Sequence, residues 1–319
     1  MKTLKNLITG IHGFAGSHMA DLLLERNEQV FGIVRSLADN QNIKHIEKKI
    51  QTFSCDIRKR QEVKKVLNEV RPDRIYHLAS VSFIPDVEQA GSAAFETNLL
   101  GTLNLLESVK ELKPDCRFLY VGSSEEYGMV SQEEGFIKED RALKPFSLYG
   151  VSKAAADLLA QSYFTRDGLD VIRVRPYNHI GPRQDSRFVC SSFARQIAAI
   201  ENGCEPLIKT GNLESYRDFT DVRDTVRAYH AVMDKAEAGE VFNVCSGKMT
   251  RVKVLLDTLL KISGVAIKTE VDPSLFREAK PVNVSGVNTL LQQRTGWRPQ
   301  FSLDQTLGDL LNYWRAMMK

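Results

Sequence analysis

Leu4-Lys5-Asn6-Leu7-Ile8-Thr9-Gly10-Ile11-His12-Gly13-Phe14-Ala15-Gly16-Ser17-His18-Met19-Ala20-Asp21-Leu22-Leu23-Leu24-Glu25-Arg26 is the stretch whose reading decides the fold. Leu4 to Thr9 reads as a short buried strand, three glycines follow, and the apolar spacing from Ser17 to Arg26 reads as a helix. Glycines allow a tight turn and bring backbone close to a pyrophosphate, whose charge then meets the free N–H groups of a helix N-terminus. The spacing is G-x-x-G-x-x-G and departs from G-x-G-x-x-G, so the strand and helix on either side carry the reading. It predicts a dinucleotide site at Gly10, Gly13, Phe14 and Gly16.

Outward from this unit, a second strand, Gln29 to Val34, ends at Arg35-Ser36, where a carboxylate for ribose hydroxyls is missing. Arg35 suits a 2'-phosphate, which favours NADP(H) and leaves NAD(H) possible, with Asp39 close enough for a loop to return it. An exposed arginine at a strand end is the competing reading. Further strands are expected at Ile50 to Cys55, Arg74 to Ala79, Arg117 to Val121, Val171 to Arg175 and Glu240 to Val244. Helical patterns run at Glu62 to Val70, Ala93 to Leu112, Ser152 to Arg166 and Asp224 to Lys235. Such alternation predicts an α/β fold, a Rossmann-type doubly wound parallel sheet covered on both faces. Ligands lie at the carboxyl ends of such strands, where Gly10, Asp56, Ala79, Ser123 and Arg175 fall.

After Arg175 the pattern loosens, then gives helices near Phe188 to Glu201, Val252 to Ser263 and Leu303 to Met317. We expect a nucleotide-binding domain over 1–177, with returns near 219–248 and 283–293, and a smaller α/β substrate domain over the rest of 178–319. The two are not separated by a Ser/Gly linker, so an intimate cleft is expected.

The chain has 319 residues, and 43 basic against 40 acidic side chains leave a formal charge of +3, which argues against nucleic acid as a bulk partner. Cys55, Cys116, Cys190, Cys204 and Cys245 are scattered and form no C-x-x-C pair, as expected of reduced thiols in a cytoplasmic protein. The apolar run before the glycines is too short for a signal peptide and no later run approaches a membrane span. His77 and His179 sit in apolar strings and read as hydrogen-bonded core residues; no metal site is expected. Arg58-Lys59-Arg60 and Lys64-Lys65 read as a solvated helix face.

The chemistry is expected between Gly122-Ser123-Ser124-Glu125-Glu126-Tyr127-Gly128 and Tyr149-Gly150-Val151-Ser152-Lys153. If the step from Tyr149 to Lys153 is helical, a phenol and an ammonium share one face, and the cation lowers the phenol's pKa from about 10. A solvated surface pair is the competing reading, since chance alone produces this spacing.

Together, G-x-x-G-x-x-G, Asp56, His77-Leu78-Ala79-Ser80, Asn98, Ser123 to Glu125 and Tyr149-x-x-x-Lys153 resemble the extended short-chain dehydrogenase/reductase family over nearly the whole chain. Arg173 to Pro182 resembles the segment leading to the substrate domain in members that act on nucleotide sugars. Gly211 to Phe219 and Asp272 to Arg277 are similar to the GDP-mannose branch. The resemblance implies Tyr149 as acid/base, Lys153 on the nicotinamide ribose, Ser123 or Ser124 on the reacting oxygen, and Asn98 supporting the lysine through water. It implies Gly10, Gly13, Phe14 and Gly16 at the pyrophosphate, Asp56 with Ile57 at the adenine, Leu78, Ala79 and Ser80 along the cofactor, and Arg35 at the 2'-phosphate. Ser124, Glu125, Asn178, Arg183, Lys209, Arg217 and Arg277 are implied at the GDP-sugar, because a diphosphate favours amide and bidentate arginine donors. The rival readings are that Asp56 caps a turn, that Asn98 is an ordinary helix polar group, and that Arg217 and Arg277 form surface ion pairs.

Two reactions of the branch fit. One reduces the 4-keto group of GDP-4-keto-6-deoxy-D-mannose to GDP-D-rhamnose with hydride from NAD(P)H; the other dehydrates GDP-mannose with bound NADP and Glu125 as base. Branch members of the second kind usually carry threonine at the Ser123 position and a longer loop than Arg35 to Ile50. These differences, with the string through Met129, favour reduction. A non-catalytic NADP-binding regulatory protein is the remote alternative, against which the intact Tyr149/Lys153 pair and serines count. The resemblance also implies a homodimer through Ala93 to Leu112 and Ser152 to Arg166, or a tetramer, and a product destined for a rhamnose-containing surface glycan.

Overall fold

Side chains alternate between two faces along a β-strand, and here both faces are apolar, so the central strands demand cover on both sides. The computed structural model describes residues 3–38, 40–113, 115–130, 135–275 and 285–318. Its main sheet has seven parallel strands: β1 (Lys5–Thr9), β2 (Gln29–Val34), β3 (Gln51–Ser54), β4 (Arg74–His77), β5 (Arg117–Val121), β6 (Val171–Pro176) and β7 (Val241–Val244). They stand in the order β7-β6-β5-β4-β1-β2-β3. Leu7, Ile33, Ile75, Phe118, Tyr120 and Val171 form a core with α2 (Arg60–Val70), α3 (Gly101–Leu112) and α4 (Leu148–Asp167). Their neighbours Ile8, Val34, Tyr76, Leu119, Val121 and Ile172 form the opposite core with α1 (Phe14–Glu25) and α5 (Val222–Lys235). This is the doubly wound sheet expected from the alternation. The winding reverses between β1 and β4, the switch point at which such sheets bind ligands.

Two local features depart from the expected pattern. The segment read as a loop, Arg35 to Ile50, contains a 3-10 helix, Gln41–Lys49, because Ile43 and Ile46 stand three residues apart and a three-residue turn buries both against α1. The helix expected over Ala93 to Leu112 is Ser92–Phe95, a π turn Glu96–Leu100 and then α3, and the widened turn carries the buried Asn98.

The second part packs helices Val189–Glu201, Val252–Ser263 and Leu303–Met317 around Phe193, Ile197, Leu255, Leu259, Leu307 and Leu311. Beside them lie a three-stranded sheet, Met249–Arg251, Tyr216–Asp221 and Asn178–Ile180, and a two-stranded ladder, Leu207–Thr210 with Lys268–Val271. Buried Asp218 ties this region together, accepting from the Ser246 amide and hydroxyl, the Gly247 amide and the Ser285 hydroxyl at 2.6–2.9 Å. Cys204 is exposed and the other four cysteines are buried, all of them free. Among the described residues, no helix is long and apolar enough to cross a membrane.

Candidate active site

Strand β5 delivers the chain to Gly122 and Ser123 at its carboxyl end, one strand from the switch point. Buried Ser123 caps a short 3-10 turn, Ser124–Tyr127: its hydroxyl accepts the Glu125 amide at 3.2 Å, while Glu126 Oε1 accepts the Ser123 amide at 2.8 Å. This is a capping box, two exposed donors satisfied reciprocally. Helix α4 starts beside it, capped by Ser147, whose hydroxyl accepts the Gly150 amide at 3.0 Å. A side chain at residue 150 would collide with the Glu125 carbonyl, so Gly150 lets the first turn of α4 sit on the Ser124–Tyr127 turn. That contact brings Tyr149 to Ser123, and Lys153 follows one turn later.

Lys153 is buried; its Nζ donates to the Val121 carbonyl at 2.5 Å and lies over the Tyr120 ring at 4.9 Å. Burial lowers the ammonium to about 8, opposed by the charges of Glu126 and Asp157. The sequence reading had Lys153 lowering the Tyr149 phenol. Here the phenol is held above its ordinary value: burial raises it, the Ser123 side chain acts in the other direction, and Glu125 and Glu126 add to the rise. The ammonium is turned to Val121, and water lost from around the phenol outweighs a cation one helical turn away.

Asn98 spans the gap between α4 and the loop after β4. Its Oδ1 accepts the Val81 amide at 2.8 Å and the Ser80 hydroxyl at 3.0 Å; its Nδ2 donates to the Val81 carbonyl at 3.1 Å and to Ser152 Oγ at 3.0 Å. Ser152 Oγ in turn donates to the Tyr149 carbonyl at 2.8 Å. Asn98 therefore reaches the tyrosine's backbone through Ser152. His77 is a core histidine in a directed chain: the Ala79 amide donates to Thr9 Oγ1, Thr9 Oγ1 to His77 Nδ1 at 2.7 Å, His77 Nε2 to Thr102 Oγ1 at 2.9 Å, and Thr102 Oγ1 to the Asn98 carbonyl. Thr102 gives its one hydroxyl proton to the Asn98 carbonyl and must accept from Nε2, which fixes this tautomer of the neutral ring. Burial lowers the imidazole to about 3, so it stays neutral.

The glycine loop is built for close approach. Gly10 has φ +71°, and a Cβ at Gly16 would overlap the Gly10 carbonyl. Among the described residues, the Phe14, Ala15 and Gly16 amides at the start of α1 have no acceptor, the arrangement that suits a phosphate. Phe14 itself stacks on His179, with centroids 5.6 Å apart and planes 10° from parallel. Arg35 is exposed at the end of β2, with its guanidinium in no ion pair among the described residues; Asp39 lies outside them. Asp56 is already occupied: its carboxylate accepts from Arg58 N at 3.0 Å, Nε at 2.9 Å and Nη2 at 2.6 Å, so the turn-capping reading holds in this geometry. Ile57 buries its side chain against Gly101.

Of the residues expected at the sugar nucleotide, Ser124 and Glu125 share the turn beside Tyr149. Asn178 and Arg217 share the small sheet, where Asn178 pairs with Phe219, and Lys209 is exposed on the separate ladder. Arg183 is engaged within the protein in this structure. Its guanidinium is committed to Asp21 Oδ2 at 2.6 Å, His18 Nδ1 at 2.7 Å and the Asn42 carbonyl at 3.2 Å, and pins the second part to α1. Arg277 lies outside the described residues. The sequence reading missed Glu126; Ser123-x-x-Glu126 is a capping-box pattern, which was the available signal.

A glycine-rich turn at a topological switch point, a strand-end serine and a Tyr-x-x-x-Lys helix together define an extended short-chain dehydrogenase/reductase. The chain belongs to the GDP-mannose 4,6-dehydratase family, whose family model matches residues 7–310. It is 36% identical over 249 residues to GDP-6-deoxy-D-mannose reductase of Pseudomonas aeruginosa, spanning 78% of this chain and 82% of that one. To GDP-mannose 4,6-dehydratase of Vibrio cholerae serotype O1 it is 27% identical over an alignment of 345 residues, spanning 96% and 92%. Among solved structures, RMD from Pseudomonas aeruginosa complexed with NADPH superposes with a TM-score of 0.86 at 31% identity, covering 98% of this chain and 99% of that one.

Proposed function

We propose that the protein reduces the 4-keto group of GDP-4-keto-6-deoxy-D-mannose to GDP-D-rhamnose, using NADPH in preference to NADH. The carrying observation is the convergence of buried Ser123 on Tyr149, one turn from Lys153, at the carboxyl end of β5. When bound, the reduced nicotinamide supplies the hydride. Tyr149 gives its proton to the oxygen at carbon 4, a task suited to a phenol that stays protonated at neutral pH. Ser123 hydrogen-bonds that oxygen, while Lys153, with one N–H on Val121, keeps two donors for a ribose. Gly10, Gly13 and Gly16 with the α1 amides take the pyrophosphate, and Arg35, in no ion pair among the described residues, takes a 2'-phosphate. Asn178, Lys209 and Arg217 remain our candidates for the GDP end.

The dehydratase reading rests on Glu125, which stands beside Ser123 as a base would. The greater likeness to the reductase relative and the serine at position 123 favour reduction. We also propose the division into 1–177, with returns near 219–248 and 283–293, and the rest of 178–319, supported by the place of β7 in the main sheet. A cytoplasmic homodimer through the helices bearing exposed Leu100, Val151 and Leu158 completes the proposal.

The test supplies GDP-4-keto-6-deoxy-D-mannose with NADPH or NADH and follows loss of reduced-cofactor absorbance, then supplies GDP-mannose alone and looks for the 4-keto product. Reduction only in the first case is expected; keto product in the second overturns the choice. Tyr149→Phe is expected to bind cofactor and lose turnover, and undiminished turnover removes Tyr149 from the chemistry.

A further inference from the structure

Beneath the reaction centre lies a titratable group that this chemistry does not use. Glu126 has no exposed surface, and its carboxylate folds back on its own turn. Oε1 accepts the Ser123 amide at 2.8 Å, and Oε2 lies 3.2 Å from Arg175 Nε. That Nε–H is already given to Asp157 Oδ2 at 3.1 Å, so Oε2 faces the guanidinium without an aligned hydrogen bond. Gly122 belongs to the same arrangement. Its φ is unremarkable, but a Cβ there would overlap Glu126 Oε1, so the glycine leaves room for the carboxylate.

The groups facing Glu126 are Arg175 from β6, Asp157 and Lys153 from α4, and the phenols of Tyr120, Tyr127 and Tyr149. Burial holds all three phenols above their ordinary value, and His77, which faces Lys153 from β4, stays neutral. The charges that remain are few. Asp157 is shared by Arg173 at 2.6 Å and Arg175, and the partly buried Glu139 carboxyl also faces Arg175. An ammonium added to this buried layer is strongly disfavoured unless an anion accompanies it. Glu126 and Asp157 are the carboxylates that face Lys153, and Asp157 is already shared by two guanidinium groups.

We propose that Glu126 is a positioning residue of the reaction centre, fixing Ser123 through its amide with one carboxylate oxygen and supplying, when ionised, the counter-charge of the buried Lys153 ammonium. The inference rests on reading Ser123, Tyr149 and Lys153 as that centre. Burial lowers the Lys153 ammonium to about 8, and Glu126 is the first charge to oppose it, ahead of Asp157. Burial and then Asp157 hold the Glu126 carboxyl well above its ordinary range, while Arg175, Lys153 and the Ser123 amide draw it down. Each ionisation therefore depends on the other.

Three variants test this in the keto-sugar reduction assay, with kcat and KM measured from pH 6 to 10. Glu126→Gln keeps volume and an acceptor for the Ser123 amide but removes the charge. Its kcat is expected to fall on the order of ten-fold with KM little changed, and its alkaline limb to move about one pH unit toward acid. NADPH binding followed by fluorescence should weaken above the same shifted pH. Gly122→Ala displaces the carboxylate without altering a charged residue and should move the limb in the same direction. Glu126→Asp keeps the charge and shortens the reach, so kcat should fall while the limb stays in place. Limbs that superimpose on the wild type in Glu126→Gln or Gly122→Ala overturn the proposal, as does a shifted limb in Glu126→Asp, so any variant that folds decides it. Tyr149→Phe run alongside separates the two readings. Full turnover there ends the assignment of the centre, whereas an inactive Tyr149→Phe with an unshifted Glu126→Gln ends only the role of Glu126.

Discussion

Replacing Asn98 by alanine removes four hydrogen bonds from a buried position: two accepted from Val81 and Ser80, and two donated to Val81 and Ser152. At about 0.5–1.5 kcal/mol net each, and with the Val81 backbone groups left buried and partly unsatisfied, the loss is about 2–6 kcal/mol. Urea unfolding should show this as a midpoint lowered by about 1 M at an unchanged slope. Turnover should fall as well, because Ser152, which holds the Tyr149 carbonyl at 2.8 Å, loses its own partner. Asn98→Asp sharpens the test: it keeps the acceptor to Val81 and Ser80 but replaces the donor to Ser152 and buries a charge, so it should be at least as damaging. A loss below about 1 kcal/mol with kcat unchanged would refute the view that this side chain ties the β4 loop to the tyrosine helix.

Two further outcomes are expected. His18, lowered to about 4 first by burial and then by Arg183, donates from Nε2 to the Pro182 carbonyl and accepts at Nδ1 from Arg183, so it is neutral when folded. The unfolded chain takes up a proton below about 6.5 and the folded one does not, so stability should fall by on the order of 3 kcal/mol between pH 6.5 and 4; thermal melts in which His18→Gln leaves the slope intact would contradict this. Arg183→Ala should cost about 1–3 kcal/mol by breaking the partly buried pair with Asp21 and leave KM for the sugar nucleotide within about two-fold; a ten-fold rise in KM would return its guanidinium to the substrate.

The sheet was legible because its signals are local: period-two apolar strands, helices at 3.6 spacing, and glycines where strand turns to helix. Gln29–Val34 and Val252–Ser263 fall on the residues expected. The π turn at Asn98 and the 3-10 helix at Gln41 were not legible, because each is settled by where one or two side chains find a surface. The small sheet of the second part pairs residues 178–180, 216–221 and 249–251, segments too short to show alternation and adjacent only after folding. At the site, the Tyr149 to Lys153 step was visible as spacing, but the direction in which the phenol is shifted depends on burial, which a string of residues does not display. The contacts of Arg183 were not legible for a related reason: its partner, Asp21, stands 162 residues away.

Strand β7 lies beside β6, yet two strands of the small sheet and the helix at 189–201 are threaded between them in the chain. During synthesis, the edge of Val171–Pro176 therefore stays open until residue 244 has left the ribosome, and an open strand edge is a site for misassociation. A fragment ending near residue 177 would carry every glycine of the phosphate loop and both Tyr149 and Lys153, and still present that bare edge. The two parts of the fold are thus joined by topology as well as by contact, and neither can be cut away cleanly along the sequence.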